Sequence, residues 1–432
     1  MADLNRIAAQ LTDELKRSGV VKYAFELSES QKRELNTEQD HFSLYRTIFG
    51  YSASVTAFLG GRKGSASGND LTEEGLKQLV SAARAAAECA PEDPANDIAE
   101  CQAPETFRCG PWEADMDRYY DRVQEALDTI RTEYPAIRIS QVIASHDQTR
   151  NLYQNSNGVR FEAYDGDYTV FLEYAGSAGA RTTGLAYSQL VMKDLETPIL
   201  DHGLLRKQLS DTEKSLNTVS IADKFEGTVI FTPDALGSFA WMLVDNFLSS
   251  GVIMDGTSLW KDRAGEKVAD ARITLRLQAE DPRLAVLPHY TEDGYKAENV
   301  TLIENGVLNS FLLNLYAANK TGRPVTKNSG ASFVLEPGGK PLEDIIRSVK
   351  RGLVVGGFSG GTPGSSGEFS GVAKNSFYIE NGEIKGAVMK TMINGNLTGV
   401  FQNVVALSQE QFSDGMSAFP YLAAEGITIS GN

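Results

Sequence analysis

Histidine and cysteine are scarce in this chain: four and three residues out of 432. Zinc hydrolases set two histidines one helical turn apart so that both reach the metal, with a glutamate as base. His41, His146, His202 and His289 contain no such pair. Cys89, Cys101 and Cys109 lack the paired C-x-x-C spacing and a nearby fourth ligand. These residues are therefore read as structural imidazoles and as buried or solvated thiols. An odd cysteine count suits a reducing compartment. No apolar run approaches the roughly 18 residues of a membrane span. Met1-Ala2-Asp3-Leu4-Asn5 lacks the basic and then apolar pattern of a signal peptide. Long basic runs are missing as well, since 41 Lys and Arg face 57 Asp and Glu for a formal charge of −16. Polyanion binding needs clustered cations that displace counterions, so direct nucleic-acid binding is not expected. The expectation is a soluble, cytoplasmic chain with no membrane segment. Its length and its 41% hydrophobic content allow two or three well-packed domains.

What is present is a change of period along the chain. Leu4, Ile7, Ala8, Leu11 and Leu15 form one helical stripe behind Asp3. Leu76, Leu79, Val80 and Ala83 form another after Thr72-Glu73-Glu74, where a capping hydroxyl and acidic first turn suit the helix dipole. Met116, Tyr119, Tyr120, Val123, Leu127 and Ile130 make a third. Residues 42–59 read as strands. Around the Asn157-Gly158 turn the pattern alternates through Val159, Phe161 and Ala163, is read as turning at Asp165-Gly166, and alternates back through Tyr168, Val170, Leu172 and Tyr174. Helices followed by antiparallel strands argue for an α+β fold rather than βαβ repeats. The division expected is an N-terminal α+β domain over 1–186, a mostly helical connector over 187–222, and a C-terminal β-rich domain with hairpins and a few helices over 223–432. Within the last, Pro233 opens a helix expected to be buried nearly all round, because Trp241 and Met242 fill a second side. Ile303-Glu304-Asn305-Gly306-Val307-Leu308 is echoed by Ile379-Glu380-Asn381-Gly382-Glu383-Ile384, so two similar hairpins are expected.

Between these echoes lies the run Gly352–Gly371, with eight glycines in twenty residues. Such a segment cannot pack as a helix or long strand, since glycine loses the most conformational freedom on folding and returns no side-chain contact. It must be ordered by its surroundings and suits a close approach of backbone to a ligand. Gly357-Phe358-Ser359-Gly360-Gly361 spells G-x-S-x-G. A nucleophile elbow also needs a helix after the serine and a later histidine. Thr362-Pro363-Gly364-Ser365-Ser366-Gly367 follows instead, and the last histidine is His289, upstream. Ser359 is therefore read as structural. No phosphate-binding glycine motif is present.

Several segments together resemble one family. They are Gly64-Ser65-Ala66-Ser67-Gly68-Asn69-Asp70-Leu71-Thr72-Glu73-Glu74, Pro91-Glu92-Asp93-Pro94, Asn155-Ser156-Asn157-Gly158-Val159, Leu312-Leu313 through Tyr316-Ala317-Ala318, and Gly360-Gly361 through Gly371 with the I-E-N-G that follows. Their order and spacing resemble the TldD/PmbA family, also called modulators of DNA gyrase, over almost the whole chain. The resemblance implies a two-domain α+β chain in a cytoplasmic protease system for unfolded peptides or small proteins. In that system a TldD-type subunit holds zinc with H-E-x-x-x-H and a later cysteine, and a PmbA/TldE-type partner lacks them. The metal helix should fall near 233–247, where this sequence has Ser238-Phe239-Ala240-Trp241-Met242-Leu243 and no cysteine beyond Cys109. Catalytic and metal residues are therefore not carried over, and no cofactor is expected in this chain. Its expected partners are a TldD-like homologue and/or a second copy of itself as a dimer, with a peptide or unfolded small protein as substrate. The peptide-path candidates are Gly356, Gly357, Gly360, Gly361, Ser365, Ser366 and Gly367. The −16 charge makes any effect on gyrase indirect.

Overall fold

The computed structural model describes residues 3–431. Its N-terminal half begins with α1 (Leu4–Arg17), whose start is capped by Asp3 accepting from the Arg6 N–H at 3.1 Å. β1 (Lys22–Glu38) and β2 (His41–Leu59) form a long antiparallel hairpin, and β3 (Arg62–Gly68) returns along the second part of β2. The Thr72 hydroxyl caps α2 (Glu73–Cys89) by accepting from Gly75 N–H at 3.2 Å. β4 (Glu105–Cys109), α3 (Met116–Glu133), β5 (Ile137–Asn155), β6 (Arg160–Ala178), β7 (Arg181–Thr182) and β8 (Ala186–Met192) complete this half. The sheet order is β3-β2-β1-β5-β6-β4, with β7 and β8 also paired to β6. All pairs are antiparallel except β4 with β6.

The three helical stripes pack where their period directs them. α1 and α2 cover Phe25, Leu27 and Val55, while α3 covers Leu35, Val142, Ala144 and Val170. Leu27 and Leu35 are an even number of residues apart on β1, so all three helices lie against one face of the sheet. Tyr120 is the exception in its stripe, being exposed beside Phe42 with ring centroids 4.3 Å apart.

Two expectations about strands are corrected. Asp165-Gly166 is no turn, because β6 runs unbroken through it. Its apolar phase reverses because the two ends of the strand pack on opposite faces. Phe161 meets Tyr153 and Tyr290, whereas Tyr168, Val170 and Leu172 meet α3. Gly166 serves close approach instead: a Cβ there would lie 1.9 Å from the Pro111 carbonyl oxygen of the segment crossing above it. The stretch 187–222 also opens as strand rather than helix. Ala186, Ser188, Leu190 and Met192 are buried in alternation against β6. A single 3-10 turn at Ile199–Asp201, α4 (Leu205–Lys214) and β9 (Thr218–Val219) follow.

The C-terminal half is built on β10 (Lys224–Phe231), which leads into α5 (Pro233–Phe247) and α6 (Ser250–Met254). After β11 (Leu275–Leu277), the first echo hairpin is β12 (Val300–Glu304) with β13 (Val307–Leu308). Then come α7 (Leu315–Thr321), β14 (Phe333–Leu335), α8 (Leu342–Ser348), β15 (Arg351–Val355), β16 (Gly357–Gly360) and β17 (Glu368–Lys374). The second echo hairpin is β18 (Ser376–Glu380) with β19 (Glu383–Val388). β20 (Met392–Asn396), α9 (Leu397–Gln402), β21 (Val404–Ser413) and β22 (Ala418–Ser430) close the chain. Both echo turns use left-handed Asn-Gly pairs, with φ of 49° and 82° at Asn305-Gly306 and 51° and 78° at Asn381-Gly382. The strands form one mixed sheet of fourteen, in which β10 and β15 are parallel neighbours and β22 pairs with four strands.

The halves meet through mixed contacts. Ala99 N–H donates to the Asp293 carbonyl at 3.0 Å, Tyr316 donates to Asp93 at 2.8 Å, and Tyr290 stacks on Phe161. No helix among the described residues is long and apolar enough to cross a membrane.

Candidate functional site

The glycine-rich run and α5 form one unit. Thr232 caps α5 through Ala235 N–H, its own N–H donates to the Val355 carbonyl at 3.0 Å, and its hydroxyl reaches the Gly356 carbonyl at 3.4 Å. The start of the helix is thereby tied to the junction of β15 and β16. Phe239 is fully buried and lies 4.6 Å from Phe231, 5.3 Å from Phe358 and 5.0 Å from Phe369, ring to ring. Aromatic pairs at such separations add to the burial they provide.

This packing divides the candidate glycines into two kinds. A Cβ on Gly360 would lie 2.4 Å from the Phe358 ring, and one on Gly356 would lie 2.5 Å from the Asn375 carbonyl oxygen. Gly367 adopts φ +79° and sits against Phe247. These three are required by the fold. Gly361 has open space around its Cβ position and Gly357 meets only an ordinary contact with Lys374. Ser365 and Ser366 are exposed, and the Ser366 carbonyl accepts from Asn396 at 2.7 Å. β16 pairs only with β17, so among the described residues no strand covers its other edge. The site therefore offers free backbone groups with little side-chain cover.

Ser359 stands on this hairpin opposite Val372 and is exposed. The chain after it returns as β17 instead of entering a helix, so the geometry of a nucleophile elbow is not formed. The histidines are dispersed. His289 lies 2.6 Å from Asp165 and stacks on Phe107, His146 meets the Pro111 carbonyl at 2.8 Å, and His41 sits beside Asp40. Burial lowers the pKa of His146 and of His202. Cys89 and Cys101 are exposed, and burial raises the Cys109 thiol.

α5 differs from the helix expected to be buried all round. Asp234, Ser238, Trp241 and Asp245 form an exposed stripe at helical spacing, while Phe239 and Leu243 point into the core. Trp241 is 55% exposed because the neighbouring half stands off from this side and leaves a cleft of about 260 Å³. The cleft is bounded by Asp234, Ser238, Trp241, Phe412 and Phe419. A hydrogen-bond chain reaches it from the N-terminal sheet. Tyr174 and Ser188 are 3.0 Å apart, Ser188 donates to Gln208 at 2.6 Å, and Gln208 donates to Asp234 at 2.7 Å. Desolvation by the groups packed around the cleft raises the Asp234 carboxyl, with Asp414 adding in the same direction. This relay was not visible in the sequence, because its four members come from four separate elements.

Zinc needs three or four nitrogen, sulfur or carboxylate donors converging on one point. α5 carries no histidine or cysteine, and among the described residues no three His, Cys, Asp or Glu side chains are grouped to hold a metal ion. Among the described residues, the side chains around α5 offer no convergent set of zinc donors.

This α+β chain matches peptidase-related family models in both of its halves. Residues 225–431 match the family model described as the PmbA/TldA metallopeptidase C-terminal domain, and residues 25–87 match that for domain 1. The chain belongs to the PmbA/TldD metallopeptidase family. It is 26% identical over 388 residues to the metalloprotease PmbA of Escherichia coli O157:H7, covering 82% of this chain and 80% of that protein. A zinc metalloprotease TldD homologue from Saccharolobus solfataricus is 26% identical over 198 residues, and the match spans only 44% of its length. In fold, the chain is similar to the crystal structure of TldE from Thermococcus kodakarensis. That likeness has a TM-score of 0.85 at 22% identity and covers 98% of this chain and all of the other.

Proposed function

We propose that this chain is the PmbA/TldE-like subunit of a two-component metallopeptidase and holds an extended peptide without itself cleaving it. The observation that carries the reading is the bare edge of β16, where Gly357, Gly360 and the adjoining Gly361 leave backbone groups free beside a helix without histidine or cysteine. Strand addition onto such an edge takes its affinity from main-chain hydrogen bonds, so it tolerates many sequences. In this reading zinc resides in an H-E-x-x-x-H homologue, the substrate is an unfolded peptide or small protein, and the setting is cytoplasmic. The net charge of −16 supports a partner other than nucleic acid.

The test is purification with and without a co-expressed H-E-x-x-x-H homologue, followed by zinc analysis and peptide cleavage assays. Zinc and cleavage are expected only in the co-expressed sample. Both activities in the isolated chain would overturn the proposal. Gly361→Val should weaken binding of a fluorescent extended peptide at least tenfold with the fold intact. Unchanged binding would remove β16 from the path.

A further inference from the structure

The C-terminal sheet buries apolar side chains on both faces, but the two faces are covered unequally. On β10 and β15, Phe231, Leu353 and Val355 belong to the core under α5, whereas Ile230 and Val354 alternate to the far face. Phe377 on β18 and Tyr421 on β22 join them there. α8 packs on this face through Ile345, and α4 places the Lys207 ammonium over the Phe377 ring, 5.9 Å from its centre. With seven residues α8 is about 10 Å long. The strands from β22 to β19 are about 20 Å across, so the helix cannot span them. The gap left between α4, α8 and β19 is a cavity of about 550 Å³. Small-molecule sites occupy about 300–1,000 Å³.

The lining of this cavity is amphipathic. Val219, Ile346, Phe377, Ile384 and Ala387 make it apolar, and Lys207, Lys214 and Lys385 stand around them. Asp211 is the only acid of the lining, and Lys207 and Lys214 share it, the latter at 3.7 Å. Lys385 is paired with Glu383. Arg181 donates to Asn217 at the rim and meets no acid among the described residues. Cations therefore outnumber acids here, in a chain of formal charge −16. Tyr421 supplies a second, independent observation. It is 1% exposed and lines the cavity, yet its hydroxyl makes no hydrogen bond to any described residue. A buried donor without a partner is costly, and an acceptor carried by a ligand would satisfy it. The adjoining cavity beyond Leu342 carries Asp201, Glu343 and Glu410, which repel an anion and confine it to the lysine side. The floor is a sheet face whose backbone groups are already paired. A peptide main chain would find no partners on it, whereas an alkyl chain needs none.

We infer that this cavity binds a small aliphatic carboxylate, its chain lying on Ile346, Phe377 and Ile384 and its carboxylate held by Lys207 and the Tyr421 hydroxyl. The site lies on the sheet face opposite α5, and the inference stands whether or not the proposed peptidase role does. The probe is decanoate, titrated by calorimetry into the full chain purified alone. One saturable site is expected. Decylamine, of the same length and opposite charge, should bind at least tenfold more weakly. Ile346 is half-buried on α8, so Ile346→Trp should fill the cavity and weaken decanoate at least tenfold. Tyr421→Phe should also weaken decanoate, by about threefold to tenfold. It should not lower the melting temperature, because the hydroxyl has no partner to lose. No saturable binding of decanoate, equal binding of decylamine, or an affinity unchanged in both variants would each overturn the inference.

Discussion

The open edges of β2 and β16 present the same backbone donors and acceptors but are clothed in opposite ways. Around β2 stand Leu44, Tyr45, Ile48 and Phe49, all exposed, on a sheet whose opposite edge of β1 is locked to β5. Around β16 the residues left at the surface are small, Ser359 and Gly360 with Gly361 just beyond, while Phe358 is turned inward onto Phe239. Large side chains at an edge define one matching partner and one register. Their absence admits any extended chain. The difference teaches that an uncovered edge is specified by its side chains, and that glycine can be the specification.

The largest effect should come from the support of the β16 edge. Phe239→Ala removes a fully buried ring in contact with three others and should cost about 4 kcal/mol. Urea unfolding would measure that loss. Peptide binding should fall with it. Next, Gly360→Val drives a side chain into Phe358 and the Ser370 carbonyl and should cost about 2–3 kcal/mol. Gly361→Val, with nothing within 4 Å of its Cβ position, should change stability by less than about 0.5 kcal/mol and yet impair peptide binding. Equal destabilisation by the two would erase the distinction drawn between required and free glycines.

A smaller effect separates the sheets by pH. Burial raises the Asp167 carboxyl on β6 to about 6, and the nearby Asp147 adds to this. Because the folded state keeps this proton where the unfolded chain has lost it, the Asp167 contribution to stability is greatest at low pH. It declines as pH rises from about 4 to about 6 and stays flat above. Asp167→Asn should therefore stabilise the chain at pH 7 by about 1–2 kcal/mol, after discounting for partial solvation. The gain should vanish near pH 4. Urea midpoints of both proteins across pH 4–7 test this, and a gain independent of pH would contradict it. The β16 edge should not respond.

Much of the framework was legible. The stripe Leu4, Ile7, Ala8, Leu11 and Leu15 is buried as its period requires, and the Asn-Gly pairs of the two echo hairpins take positive φ. These features depend on neighbours three or four residues away, so a linear reading suffices. Asp165-Gly166 misled because a phase reversal within one strand and a turn between two strands leave the same alternation. Only the sheet, with Tyr290 on one side and α3 on the other, separates them. α5 misled for a related reason. Trp241 is apolar, and its exposure follows from where another half of the chain stands.

By itself, the sequence determined the first helices, their caps and the paired hairpins, since period, capping and turn chemistry are local properties. Tertiary structure decided which glycines are needed, which edges stay open and which face of α5 meets a cleft. Each of these is set by segments distant in sequence, Phe358 over Gly360 and β3 stopping short along β2 among them. Burial and pairing depend on the whole packed chain, and no window of sequence contains it.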